Sequence, residues 1–145
     1  MARTSVKVKT SRRPGAVTGA PSADASAYSR EVDTWPRSWM GVEQDLPVGD
    51  GLVTCFRPFI AHLAFSTLSP KTIRLHVGNL WILGGEIIRD LNDDPALRRV
   101  PADRLLRTVV HADGGPLIYN GSEDTQRSFD STCRKLHRFL SQPQR

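Results

Sequence analysis

Several ingredients are scarce in this chain of 145 residues. It has two cysteines, Cys55 and Cys133, far apart in sequence, with no CxxC pair and no secretory signal ahead of them. A disulfide framework is thereby excluded, and buried, reduced thiols in a cytoplasmic protein are expected. No apolar run approaches the roughly 18 residues of a membrane span, so no membrane partner is expected. The four histidines, His62, His76, His111 and His137, fall on separate expected elements with no HxxxH or HExxH spacing, so no metal site is expected. No serine occupies a G-x-S-x-G elbow, and no glycine run has phosphate-loop or dinucleotide spacing. Gly84-Gly85 and Gly114-Gly115 stand alone, and no cofactor is expected. Acidic residues are missing from the whole stretch before Asp24.

That last absence locates the net charge of +5. Arg3, Lys7, Lys9, Arg12 and Arg13 precede any acid, and the fifteen acids of the chain are matched by an equal number of bases beyond Arg13. The basic character therefore belongs to the first residues. A basic, acid-free arm either attracts polyanions, nucleic acid first, or is a solvated leader. Residues 1–34 are rich in Ala, Ser, Thr, Pro and Gly and carry neither helical nor strand period, so a disordered tail is expected there. Trp35 and Trp39 read as a lid over a core edge. Residues 35–50 read as an entry loop, with Asp45–Gly51 and its Pro47, Gly49 and Gly51 leading into a helical domain over 51–142.

The domain is organised around Ser69–Leu91. Ser69 can cap a helix, and Pro70 suits its first position. Counting from Ile73 at about 100° per residue, Val77, Leu80, Gly84, Ile87, Ile88 and Leu91 share a face, and Lys71, Arg74 and Arg89 lie away from it. Because the apolar phase continues across Gly84-Gly85, the helix is expected to be continuous or mildly kinked. Gly78 and Gly85, on the polar side, leave backbone that another helix or a phosphate chain can approach. Leu75 and Ile82 are apolar on the wrong face.

Three more helices are expected. The first covers Gly51–Phe65, with Leu52, Phe56, Phe59, Ile60 and Leu63 inward, His62 at the surface, and Pro58 either kinking it or marking its regular start. Asn92–Pro95 stops the organising helix and caps a short turn. Pro101 opens the third, to Val110, with Leu105, Leu106 and Val109 inward. Leu117–Tyr119 reads as an extended run or a brief hairpin arm. The last helix spans Ser122–Gln142, with Phe129, Cys133, Leu136 and Leu140 inward and Arg127, Arg134 and Arg138 aligned on the opposite face. Asp130 is positioned to pair with Arg127 or Arg134. Cys133 has Arg134 and His137 nearby, but its phase puts the thiol inside.

Leu68-Ser-Pro-Lys-Thr-Ile at a helix start, Phe56-Arg-Pro-Phe-Ile-Ala-His-Leu before it and Ser128-Phe-Asp-Ser-Thr-Cys-Arg-Lys-Leu-His-Arg-Phe-Leu in the last helix carry a resemblance. Over roughly residues 52–140 the chain resembles the N-terminal SAM-like core-binding domain of phage integrases and tyrosine recombinases. The resemblance implies an all-α, four-helix bundle that forms one arm of a clamp on double-stranded DNA, with the second and fourth helices facing it. It points to Lys71, Thr72 and Arg74 on the second helix and to Arg127, Arg134, Lys135 and Arg138 on the fourth. The family's catalytic residues belong to a separate domain with no counterpart here, and neither Tyr28 nor Tyr119 takes the nucleophile's place. The acidic turn at Asn92–Asp94 and the segment Asp113–Tyr119 also lie outside the family's pattern.

The expectation is thus a non-catalytic DNA-binding domain, a stand-alone or truncated relative of an integrase arm. Two rivals are an accessory module that docks on a recombinase or another protein through Leu75 and Ile82, and an enzyme of unrecognised type. Convergence of the basic faces of the second and fourth helices distinguishes the DNA reading from the protein-partner one.

Overall fold

Ser69 stops the chain in extended conformation, and its Oγ accepts the Thr72 N–H at 3.2 Å, so the helix that follows starts with one of its orphan donors satisfied. Pro70 takes the first position. The computed structural model describes residues 25–118 and 121–143, and all regular structure among them is helical. Five α-helices follow in order: α1 (Trp35–Trp39), α2 (Leu46–Ala64), α3 (Pro70–Asp93), α4 (Ala102–Val109) and α5 (Glu123–Ser141). Short 3₁₀ turns occupy Ala25–Ala27, Val32–Thr34, Glu43–Asp45 and Pro95–Arg99.

Helix α3 runs unbroken through Gly84-Gly85. The reason is tertiary. The Trp39 ring lies where a side chain at Gly84 would be, since an added Cβ would sit 2.1 Å from Trp39 Cζ2. Trp39 Nε1 also donates to the Trp81 carbonyl at 2.9 Å, and Trp81 Nε1 donates to Ser38 Oγ at 2.9 Å. Trp35, Trp39 and Phe56 complete an aromatic cluster over this end of the core, with both indoles edge-on to the Phe56 ring. Beneath it α2 packs against α1, α3 and α4, and α3 against α5. Leu52, Phe56, Ile73, Leu80, Leu91, Leu106, Phe129 and Leu136 are fully buried between them.

The lead-in differs from expectation. α2 begins at Leu46, five residues before Gly51, and the expected loop at Asp45–Gly51 is helix. Pro47 sits in the first turn, where a missing N–H costs nothing. Gly49 and Gly51 are packing residues: a Cβ would meet Pro36 at 3.0 Å and Ala102 at 2.7 Å, respectively. Pro58 stays inside α2. It and Thr54, whose carbonyl it deprives of a donor, are both exposed, so water can serve that carbonyl. Residues 25–34, expected as tail, form two 3₁₀ turns and bring Val32 into the core. Residues 1–24, with Arg3, Lys7, Lys9, Arg12 and Arg13, lie outside the described residues.

Asp45 anchors this lead-in. Its buried carboxylate accepts the Gly41 and Val42 N–H groups through Oδ2 and Arg98 Nε through Oδ1 at 2.9 Å, tying the turn before α2 to Pro95–Arg99. Burial pushes its pKa up, but those hydrogen bonds and the guanidinium charge outweigh that, holding it below the usual 3.8.

The segment before α5 is irregular. His111 and Gly114 exchange both backbone hydrogen bonds, at 2.7 and 3.2 Å. Gly114 has φ +151, which favours glycine, and Asp130 occupies the space of its missing side chain. Asp130 does not pair with Arg127 or Arg134 as expected. It accepts the Gly115 N–H and the Gln126 amide, at 3.1 Å each, because the loop lies directly on α5. Gln126 in turn accepts from Ile118 N and donates to the Pro116 carbonyl.

Candidate nucleic-acid interface

α3 and α5 meet across a buried polar seam. Asn79 Nδ2 donates to Thr132 Oγ1 at 2.8 Å and to Ser128 Oγ at 3.2 Å, and Thr132 Oγ1 lies 2.7 Å from His76 Nδ1. The threonine hydroxyl therefore joins the Asn79 amide to the His76 ring, and it also reaches the Ser128 carbonyl at 3.5 Å. Burial lowers the His76 pKa below 6.5, and the charge of Lys135 lowers it further. The seam fixes how α5 lies on α3, and Lys135, one turn beyond Thr132, is set at its rim.

One end of that rim is a pocket of about 250 Å³. The last turn of α2 and the end of α5 wall it, with His62 stacked on Phe59 at 6.3 Å and tilted on Phe139 at 5.1 Å. Lys135 and Arg138 reach it from α5, and Ser66–Leu68, the connection into α3, closes it. Neither cation has an ion-pair partner among the described residues. The Ser66 hydroxyl is used locally, donating to the Leu63 carbonyl and accepting the Leu68 N–H, whereas that of Thr67 is not. Two unpaired cations, a free hydroxyl and a ring wall suit a phosphate group of a nucleic-acid backbone.

The sequence-derived site residues divide. Lys135 and Arg138 come together at this pocket. Lys71, in the first turn of α3, is exposed, and Thr72 is committed to the helix cap, its Oγ1 accepting from Ser69 Oγ at 3.0 Å. Arg74 faces elsewhere, into a larger groove between α3 and the N-terminal turns. Arg127 is ion-paired with Asp124 at 2.9 Å, and Arg134 donates to the Asp113 carbonyl at 3.3 Å. The aligned arginine row of α5 is therefore split: Arg138 lines the pocket, and the other two are tied to neighbouring acceptors. His62, Phe139 and Thr67 were not anticipated as site residues. The i, i+3 spacing of Phe59 and His62 was the available signal.

Other candidate chemistry sits apart from this rim. The Cys133 thiol is fully buried, and burial pushes its pKa up to about 12, with Asp130 adding to the rise and Arg134 opposing it. Cys55 is half-buried rather than buried, its pKa also raised by burial first. Among the described residues no three His, Cys, Asp or Glu side chains gather as a metal site, and no helix is long and apolar enough to cross a membrane. Tyr28 packs against the core edge, and Tyr119 lies outside the described residues. Comparison with protein-family models, curated proteins and solved structures finds no significant match to this chain.

Proposed function

We propose that this chain is a non-catalytic, cytoplasmic domain that binds double-stranded DNA, built like the four-helix SAM-like core-binding arm of integrases. The observation that carries the reading is the pairing of Lys135 and Arg138, both without ion-pair partners among the described residues, at a pocket of about 250 Å³ beside the connection into α3. In this reading the pocket seats one backbone phosphate, exposed Lys71 meets a neighbouring one, and the basic residues Arg3 to Arg13 add charge that acts on all sequences alike. Strand cleavage is not part of it, because the reading gives neither Tyr28 nor Tyr119 the role of a nucleophile.

Fluorescence anisotropy on mixed-sequence duplex tests the pocket. Lys135→Ala/Arg138→Ala is expected to weaken binding at least tenfold, whereas Arg127→Ala, which removes a charge already paired with Asp124, changes it less than twofold. Equal losses would mean that charge alone matters and the pocket does not.

A second reading, an accessory module that docks on a recombinase, is favoured by Leu75, which is 53% exposed on α3. It expects no duplex binding by the parent protein and loss of recombinase co-elution in Leu75→Ser. The DNA reading expects Leu75→Ser to keep the parent's duplex affinity.

A further inference from the structure

A second concavity, larger than the pocket at the α5 rim, lies on the other side of α3. This groove of about 610 Å³ runs between the N-terminal turns and the α1 flank of α3, within the size range of small-ligand sites. Three aromatic side chains line it: buried Trp35, half-buried Tyr28, and Trp81, which is 44% exposed and held at its edge by the bond from its Nε1 to Ser38. An indole so fixed presents a preorganised surface, with no rotamer left to immobilise on binding. Arg30 and Arg74 line the same groove, and neither has a hydrogen-bond or ion-pair partner among the described residues. Gly78 lines it too, with nothing within 4 Å of the place a Cβ would take, so a ligand can reach the α3 backbone there.

From this juxtaposition we infer that the groove is a nucleotide site, taking an aromatic base against Trp81 and Tyr28 and its phosphate on Arg30 and Arg74. Base stacking on aromatic side chains is tolerant of sequence, and arginine adds both charge and stacking surface. Glu31, the one acid lining the groove, leaves it one net positive charge, matching the single negative charge of a phosphodiester. It can also accept a hydrogen bond from a base amine or a sugar hydroxyl. The cationic lining disfavours the basic residues 1–24 of the same chain as occupant. An acidic peptide would satisfy the arginines but would leave the aromatic faces without a matching partner. The inference deepens the DNA reading, since duplex DNA presents no free base face and an unpaired residue of a strand does.

Calorimetric titration of the full chain tests it with deoxyadenosine monophosphate, deoxyadenosine and inorganic phosphate. The monophosphate is expected to bind at least tenfold tighter than either fragment. Gly78→Leu, which fills open space without a clash, and Arg30→Ala, which removes an exposed and unpaired cation, are each expected to weaken it about tenfold. Circular dichroism melting checks that both variants stay folded. A single-stranded thymidine octamer separates the two sources of the same chemistry. Tighter binding than the mononucleotide assigns the groove to an unpaired strand, and equal binding assigns it to free nucleotides. Equal affinity for monophosphate and inorganic phosphate, or unchanged binding in both variants, overturns the inference.

The two proposals fail separately. Lys135→Ala/Arg138→Ala is expected to lose duplex affinity and keep the monophosphate. If the parent binds the monophosphate but no duplex, the DNA reading fails and the groove stands. If duplex binding holds while Gly78→Leu changes nothing, the groove fails alone.

Discussion

The flank of α3 that meets α5 is joined by polar side chains, His76 and Asn79 facing Ser128 and Thr132, all hydrogen-bonded across the helix interface. The flank that meets α1 is joined by the absence of a side chain, with the Trp39 ring laid on Gly84. These are two ways of fixing a helix. The polar seam specifies register, because each donor has few acceptors within reach and a slip leaves buried groups unpaired. The tryptophan seam specifies distance, because close packing there tolerates no added atom. The first seam leads to the cationic pocket at the α5 rim and the second to the aromatic groove, so each candidate site rests on a differently built support.

The largest effect is expected on the tryptophan seam. Gly84→Val drives a branched side chain into the Trp39 ring and should cost at or above the top of the ~1–3 kcal/mol overpacking range. Urea denaturation measures it, and a midpoint equal to the parent's would mean that the ring moves aside freely.

Next comes the polar seam. Thr132→Val keeps the shape but leaves the Asn79 amide without its shortest acceptor and His76 Nδ1 without its hydroxyl partner. The expected loss is about 1–3 kcal/mol, the desolvation penalty of a buried polar group left unmatched. If Thr132→Val matches the parent in urea, register is being set by the apolar side chains instead.

The polar seam should also respond to acid where the tryptophan seam does not. His76 has a folded-state pKa below its unfolded value, so the unfolded chain takes up the proton first as pH falls. Stability attributable to it is full above about 6.5 and falls progressively as pH drops from there through the lowered folded pKa. His76→Gln should flatten the melting temperature between pH 7.5 and 5.5 relative to the parent. Asp45, with a depressed pKa, contributes its own loss only in the more acidic range below 3.8. Parallel curves for parent and His76→Gln would show that the imidazole takes up its proton as readily in the fold as in the unfolded chain.

The smallest effect is expected at Gly78, on the same helix but facing open space. Gly78→Ala should raise stability by up to about 1 kcal/mol through helix propensity alone. A drop in stability there would mean that the groove floor is more crowded than its geometry indicates.

What could be read from the sequence was local. Ser69-Pro70 and Ser122 cap their helices because a cap needs only the next three residues, and the phase of Ile73 through Leu91 placed the buried face of α3. What could not be read depended on distant partners. Pro47, Gly49 and Gly51 look like loop residues until Pro36 and Ala102 are seen against the two glycines. Asp130 had arginines one turn away on both sides, yet the arriving Gly114-Gly115 loop claimed it. For the site, helical spacing put Arg127, Arg134 and Arg138 on one face. Which of them stays unpaired depends on Asp124, on the Asp113 carbonyl and on the connection into α3. The aromatic groove had no sequence signature, because Tyr28, Arg30 and Trp81 meet only when the N-terminal turns fold over α3.

Duplex binding as a function of salt tests the central claim most directly. For the full chain, log K should fall linearly with log salt, and Lys135→Ala/Arg138→Ala should flatten that slope by about 0.9, for the one phosphate no longer neutralised at the pocket. Absence of binding by the full chain at about 50 mM salt, where phosphate-driven association is strong, or identical slopes for the two proteins, would contradict it.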